Sequence, residues 1–230
     1  MAERGSRLAE ALRHPLCLAL VSFLLTGVLA NLVSRGLDQQ ARERDREAEL
    51  RAYASRTITE VTELIFERLH RAELVGSSVI RRAPVEEIKE RKRSYDEAYL
   101  RWNIRLAGNQ QRLAALLGPD RLPELRAFLD VGITQLFRLA DACLTDAYDL
   151  YLPGTEEAMQ AARRRVEACE VETFTTSLKD LHDQTGRCGR QFAATLYAAL
   201  AEATGRPAGR ALTADPVLQA CLRIEAPPPR

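Results

Sequence analysis

The chain has 230 residues, with 33 Lys or Arg against 32 Asp or Glu and a net charge of +1. That balance gives no bulk field to draw nucleic acid or a strongly acidic partner. About 195 residues follow an apolar N-terminal run, enough for one domain with a real core. Aromatic residues make up 6%, and no β-branched run stands out after residue 35, so the composition reads all-α.

A short tail, residues 1–13, precedes the run HPLCLALVSFLLTGVLANLVS at 14–34, which carries no formal charge between Arg13 and Arg35. At about 1.5 Å of rise per residue, roughly 20 apolar residues span a bilayer core. The segment 14–35 therefore reads as a transmembrane signal anchor. Val28-Leu29-Ala30 also offers the small residues of a cleavable signal peptide, but the amphipathic pattern resumes within a few residues, as if one helix ran on. Lys and Arg are balanced about the run: Arg4, Arg7 and Arg13 before it, Arg35, Arg42, Arg44 and Arg46 after it. The cost of exporting an N-terminal tail with three Arg tips the reading toward a periplasmic bundle. Arg far exceeds Lys and Ala is abundant, as in GC-rich bacterial genomes, so the expected place is a bacterial inner membrane, crossed once.

Four helices follow from the hydrophobic period over 36–204. The first, 37–82, carries Leu50, Ala54, Ile58, Val61, Ile65, Leu69, Ala72, Val75 and Val79, and Pro84 ends it. The second, 84–117, has a heptad seam: Ile88, Lys92, Tyr95, Tyr99, Trp102, Leu106, Asn109, Leu113 and Leu116 alternate steps of four and three. Gly118-Pro119-Asp120 signals a turn. The third, 120–151, runs through Leu122, Leu125, Leu129, Ile133, Leu136, Ala140, Cys143, Ala147 and Tyr151. Thr155 is a fitting N-cap for the fourth, 155–204, with Glu156 and Glu157 on its first-turn dipole. That helix uses Met159, Ala162, Val166, Cys169, Phe174, Leu178 and Leu181, and Gly186 and Gly189 predict a bend or break. Residues 205–230 hold five prolines and read as a mostly irregular tail.

Short connections make successive helices antiparallel neighbours. The expected fold is all-α: an N-terminal transmembrane helix continuing into an antiparallel up-down-up-down four-helix bundle. Levels across the hairpins place Asn109 beside Thr57 and Ser177, a candidate buried polar layer that would fix register; the competing reading leaves Asn109 half exposed. Tyr95, Tyr99, Trp102 and Tyr148 gather as a candidate ligand pocket, set against a plain aromatic core whose hydroxyls reach water. FAATLYAALA at 192–201 packs back on the first helix.

Glu67-x-x-His70 has the spacing of one half of a di-iron bundle site, but His182 has Lys179, not Glu, three residues before it, so no metal is expected. Basic residues 81–93 and 163–165 alternate with Glu, as on an ion-paired surface. Cys143, Cys169, Cys188 and Cys221 have no motif spacing, which favours four separate thiols over the two disulfides an exported domain would permit. Cys17 reads as apolar filler. There is no GxSxG, Walker A loop, dinucleotide glycine pattern or HExxH. No enzyme, catalytic set or cofactor is expected. The reading is a membrane-anchored bundle that acts through protein–protein contacts, as a scaffold or assembly factor. Its partners would be the lipid bilayer and another protein, a second copy included. The alternative is an extracytoplasmic ligand-sensing bundle that signals through a partner.

Overall fold

The structure is a computed structural model and describes residues 15–117, 122–171, 174–203 and 221. It is predominantly helical: α1 (Pro15–Ile80), α2 (Val85–Leu117), α3 (Leu122–Arg126), a π-helical segment (Ala127–Ile133), α4 (Thr134–Tyr151), α5 (Glu156–Glu167) and α6 (Leu178–Ala203), with a two-stranded antiparallel sheet, β1 (Cys169–Val171) and β2 (Phe174–Thr176). The chain divides into two units, Met1–Arg51 and Ala52–Arg230.

In the first unit the helix turns apolar side chains outward: Phe23 is 80% exposed, and Leu24, Leu25, Val28, Leu29 and Leu32 are exposed as well. Among the described residues no helix is long and apolar enough to cross a membrane. The start of the anchor assigned to 14–35 lies outside them: His14 entirely, and the side chains at 15–18, 20 and 21.

The second unit is built on the antiparallel order that the hairpins imply. Glu67 of α1 meets Arg101 of α2, and Glu60 meets Arg105 and Arg112. Gln110 of α2 donates to Asp130 in the π segment, and Trp102 packs edge-on against Phe137 of α4. Gly76, Leu69, Ile65 and Thr59 of α1 meet Leu178, Gly186, Gly189 and Tyr197 of α6 in reverse order. The core fills the centre with Ile58, Ile65, Leu113, Leu129, Leu136 and Phe192. At the α1–α2 turn Arg82 adopts φ 58°, and Tyr151 Oη donates to the Ala83 carbonyl at 2.7 Å, tying the end of α4 to that turn.

The fourth helix departs from expectation. Residues 155–204 are not one helix: α5 stops at Glu167, the chain doubles back through β1 and β2, and α6 starts afresh at Leu178. Thr155 caps α5 as its type predicts, accepting from the Ala158 N–H at 3.2 Å. The helix is not broken at Gly186 and Gly189, since α6 runs through both. A Cβ at Gly189 would come within 3.0 Å of Ile65 Cγ2, so glycine here permits close approach of α1. The third helix is interrupted by the π segment. Leu125, Leu129 and Ile133 are all buried, the last two inside the π segment. The expected turn at 118–120 lies outside the described residues.

The four cysteines are also not separate thiols. Cys143 bonds Cys169, fastening β1 to α4, and Cys188 bonds Cys221. The reading that no β-branched run follows residue 35 overlooked VETFTT at 171–176, which supplies the hairpin.

Candidate functional site

One aromatic residue of the α2 seam, Tyr99, lies against a charged pair inside the bundle. Arg68 of α1 is only 2% exposed. Its guanidinium donates to Asp141 Oδ2 of α4 and lies 4.3 Å from the centre of the Phe137 ring and 4.7 Å from that of Tyr99. A guanidinium sheds its hydration more readily than an ammonium and stacks on ring faces, which suits Arg to this place.

Around the pair, Tyr95 and Trp102 are buried, Tyr148 is half-buried and Tyr99 is 41% exposed. Lys92 Nζ stands 5.7 Å from the Tyr95 ring centre and 5.6 Å from that of Tyr148, and donates to Asp96 at 2.6 Å. Of the four residues assigned to a ligand pocket, Tyr99 faces Arg68, Trp102 packs on Phe137, and Tyr95 and Tyr148 share Lys92.

The electrostatics are those of a buried pair. Burial pushes the Asp141 carboxyl up to about 6, against the pull of Arg68 and, more weakly, Lys92. Burial likewise lowers the Arg68 guanidinium, with Asp141 opposing. Among the described residues Arg68 Nε, Asp141 Oδ1, Tyr95 Oη and Trp102 Nε1 are buried without a hydrogen-bond partner. Desolvation outweighs attraction here, as it commonly does for ion pairs inside proteins.

The polar layer is only partly assembled. Thr57 and Asn109 are both buried, but Thr57 Oγ1 donates to the Tyr53 carbonyl of its own helix at 3.1 Å. Neither amide atom of Asn109 finds a partner among the described residues. Ser177 is elsewhere. The hairpin consumes the residues between α5 and α6, so Ser177 caps the head of α6, where its Oγ accepts from the Asp180 N–H at 3.0 Å. Glu67 grips Arg101 with both oxygens, at 3.2 and 2.5 Å, and His70 is exposed. The basic surface is ion-paired, as in Arg82–Glu156, Lys89–Glu86 and Arg165–Asp146.

Two features escaped the sequence reading. Arg68 is one; its signal is that Val61, Ile65, Arg68, Ala72, Val75 and Val79 alternate steps of four and three more strictly than a stripe routed through Leu69. The other is an open cleft of about 470 Å³ where α1, the end of α5 and the head of α6 meet, with His182 in its wall. Its residues come from three elements, and the hairpin that positions them had not been foreseen.

No family model, curated protein or solved structure matches this chain.

Proposed function

We propose that the protein is a single-pass bacterial inner-membrane protein whose helical bundle stands on the periplasmic side and acts by contact with another protein, as a scaffold or assembly factor, without catalysis. The observation that carries the contact reading is the outer face of α2. Ile104 is 77% exposed and Leu100, one turn away, is 56% exposed. Large apolar side chains grouped on one exposed face mark association sites more often than single ones do.

The anchor is supported by the charge-free run at 14–34 and by the outward-facing Phe23, Leu24, Leu25 and Val28. The two disulfides support the periplasmic side, since such bonds persist in oxidising compartments and are rare in the cytosol.

A photo-reactive residue placed at 104 in the full chain, illuminated in cells, should give a discrete adduct in the membrane fraction. The same residue at 183 should give none. A C-terminal alkaline phosphatase fusion should be active and a fluorescent-protein fusion dark. Absence of an adduct at 104 sinks the contact reading; a dark-to-bright reversal of the fusions sinks the topology.

A second reading, a ligand-sensing bundle that signals through a partner, is favoured by the open cleft at the α1–α5–α6 junction.

A further inference from the structure

The cleft is lined by both apolar and acidic residues. Gly76, Ile80, Val166 and Leu178 supply the apolar part. A Cβ at Gly76 would meet Leu178 Cδ2 at 2.7 Å, so glycine lets α1 and α6 approach closely here. Three carboxylates, Glu73, Glu167 and Asp183, stand in the wall against one ammonium, that of Lys179.

These charges are not equally occupied. Asp183 takes Lys179 at 2.5 Å, and Glu167 takes Arg163 at 2.8 Å. Glu73 has only His70 Nδ1, at 4.0 Å, among the described residues. His182, the remaining ionisable group of the wall, is 6% exposed, and its Nε2 has no hydrogen-bond partner there. Burial lowers the imidazole to about 4, with Asp183 only partly opposing, so it stands neutral near pH 7. It adds no positive charge and leaves a polar ring edge unpaired in the wall.

We propose that this cleft binds a small organic cation, an amine whose apolar body lies on Gly76, Ile80, Val166 and Leu178 and whose ammonium meets Glu73. The volume is that of a small-molecule site. An anion of the same shape would face a net negative wall, and a neutral analogue would leave Glu73 without a cation. The proposal concerns binding and rests on the ligand-sensing reading only for its consequence. An amine that binds without altering any complex leaves it standing and removes that reading.

The test uses the full chain in nanodiscs of zwitterionic lipid and three probes of one shape: phenethylamine, 2-phenylethanol and 3-phenylpropionate. Calorimetric titration should show one saturable site for the amine, binding about tenfold weaker for the alcohol, a difference of about 1.4 kcal/mol, and none for the acid. Glu73→Gln should weaken the amine about tenfold and leave the alcohol unchanged. Ser77→Trp, on the exposed lip, should abolish both without lowering Tm. The proposal is overturned if no probe binds at millimolar concentration, if the acid or alcohol binds as well as the amine, if Glu73→Gln has no effect, or if binding survives Ser77→Trp.

Discussion

At Asp141 the cost of burial and the attraction of Arg68 meet on one carboxyl, and the balance is visible in its titration. The folded value is about 6 against an ordinary 3.8, raised first by desolvation. Between those two pH values the folded chain keeps a proton that the unfolded chain has released. Stability therefore falls as pH rises through that window, by roughly 3 kcal/mol for a shift of this size, and is flat with respect to this group above it. His182, lowered to about 4, contributes in the opposite sense over nearly the same range, so the Asp141 contribution is read as a difference. In denaturant titrations at pH 4, 5, 6 and 7 the stability of the full chain relative to Asp141→Asn should fall as pH rises, and Arg68→Met, which takes away the charge that holds the carboxyl down, should extend that fall to higher pH. A difference that does not change with pH would mean that Asp141 is not raised in the folded chain. Of the two rings against Arg68, Tyr99 was legible in the α2 seam and Phe137 of α4 was not. The charged pair was not legible either, because Arg on a core-facing stripe is normally taken for the edge of that stripe, and only its rings and Asp141 make the interior tolerable.

The same limit recurs for whole elements. The end of the first helix and both ends of the second were legible to within about two residues, because Pro84 and the 3.5-residue seam of α2 fix both boundary and face. The fourth was not, although a warning stood in its stripe: Cys169 to Phe174 is a step of five, which no helical face allows. The chain breaks there, and the ends of the break are pinned by a covalent bond from Cys169 to α4 that spacing cannot assign. The glycines of α6 were misjudged for a related reason. Their helix-propensity cost is local, while their benefit is contact with a helix more than a hundred positions away. The two sites differ in a way that can be measured. A Cβ at Gly186 finds its nearest neighbour, Leu69 Cδ2, at an ordinary 3.4 Å, whereas at Gly189 Ile65 and Phe66 already crowd the position. Gly186→Ala should therefore stabilise the chain by about 0.5–1 kcal/mol. Gly189→Leu should destabilise it by about 1–3 kcal/mol or more through overpacking against α1. Equal effects of the two on chemical denaturation would show that α1 and α6 do not pack as closely as Ile65 and Gly189 indicate.

For the whole molecule, the antiparallel order follows from short turns and was legible. The chain's covalent cross-links were not, and they contribute to its overall stability. Cys143–Cys169 closes a separation of 26 residues and Cys188–Cys221 one of 33. In the chain-entropy account each removes enough freedom from the unfolded ensemble to contribute about 3.5 kcal/mol, so the two together contribute about 7. The unit they cross-link, Ala52–Arg230, has an unfolding entropy near 0.4 kcal/mol/K by the usual per-residue value, so their loss corresponds to a fall in Tm of about 15–20 °C. Scanning calorimetry of the full chain in nanodiscs, with and without reductant, should show that drop. Cys143→Ser with Cys169→Ser should give about half of it, and reductant should produce the other half in that variant. Alkylation before reduction should label none of the four cysteines. A Tm indifferent to reductant, together with alkylated thiols at these positions, would show the bonds absent from the folded protein. It would also remove the main support for a periplasmic bundle, because the remaining indication, three Arg before the apolar run against four after it, scarcely distinguishes the two sides.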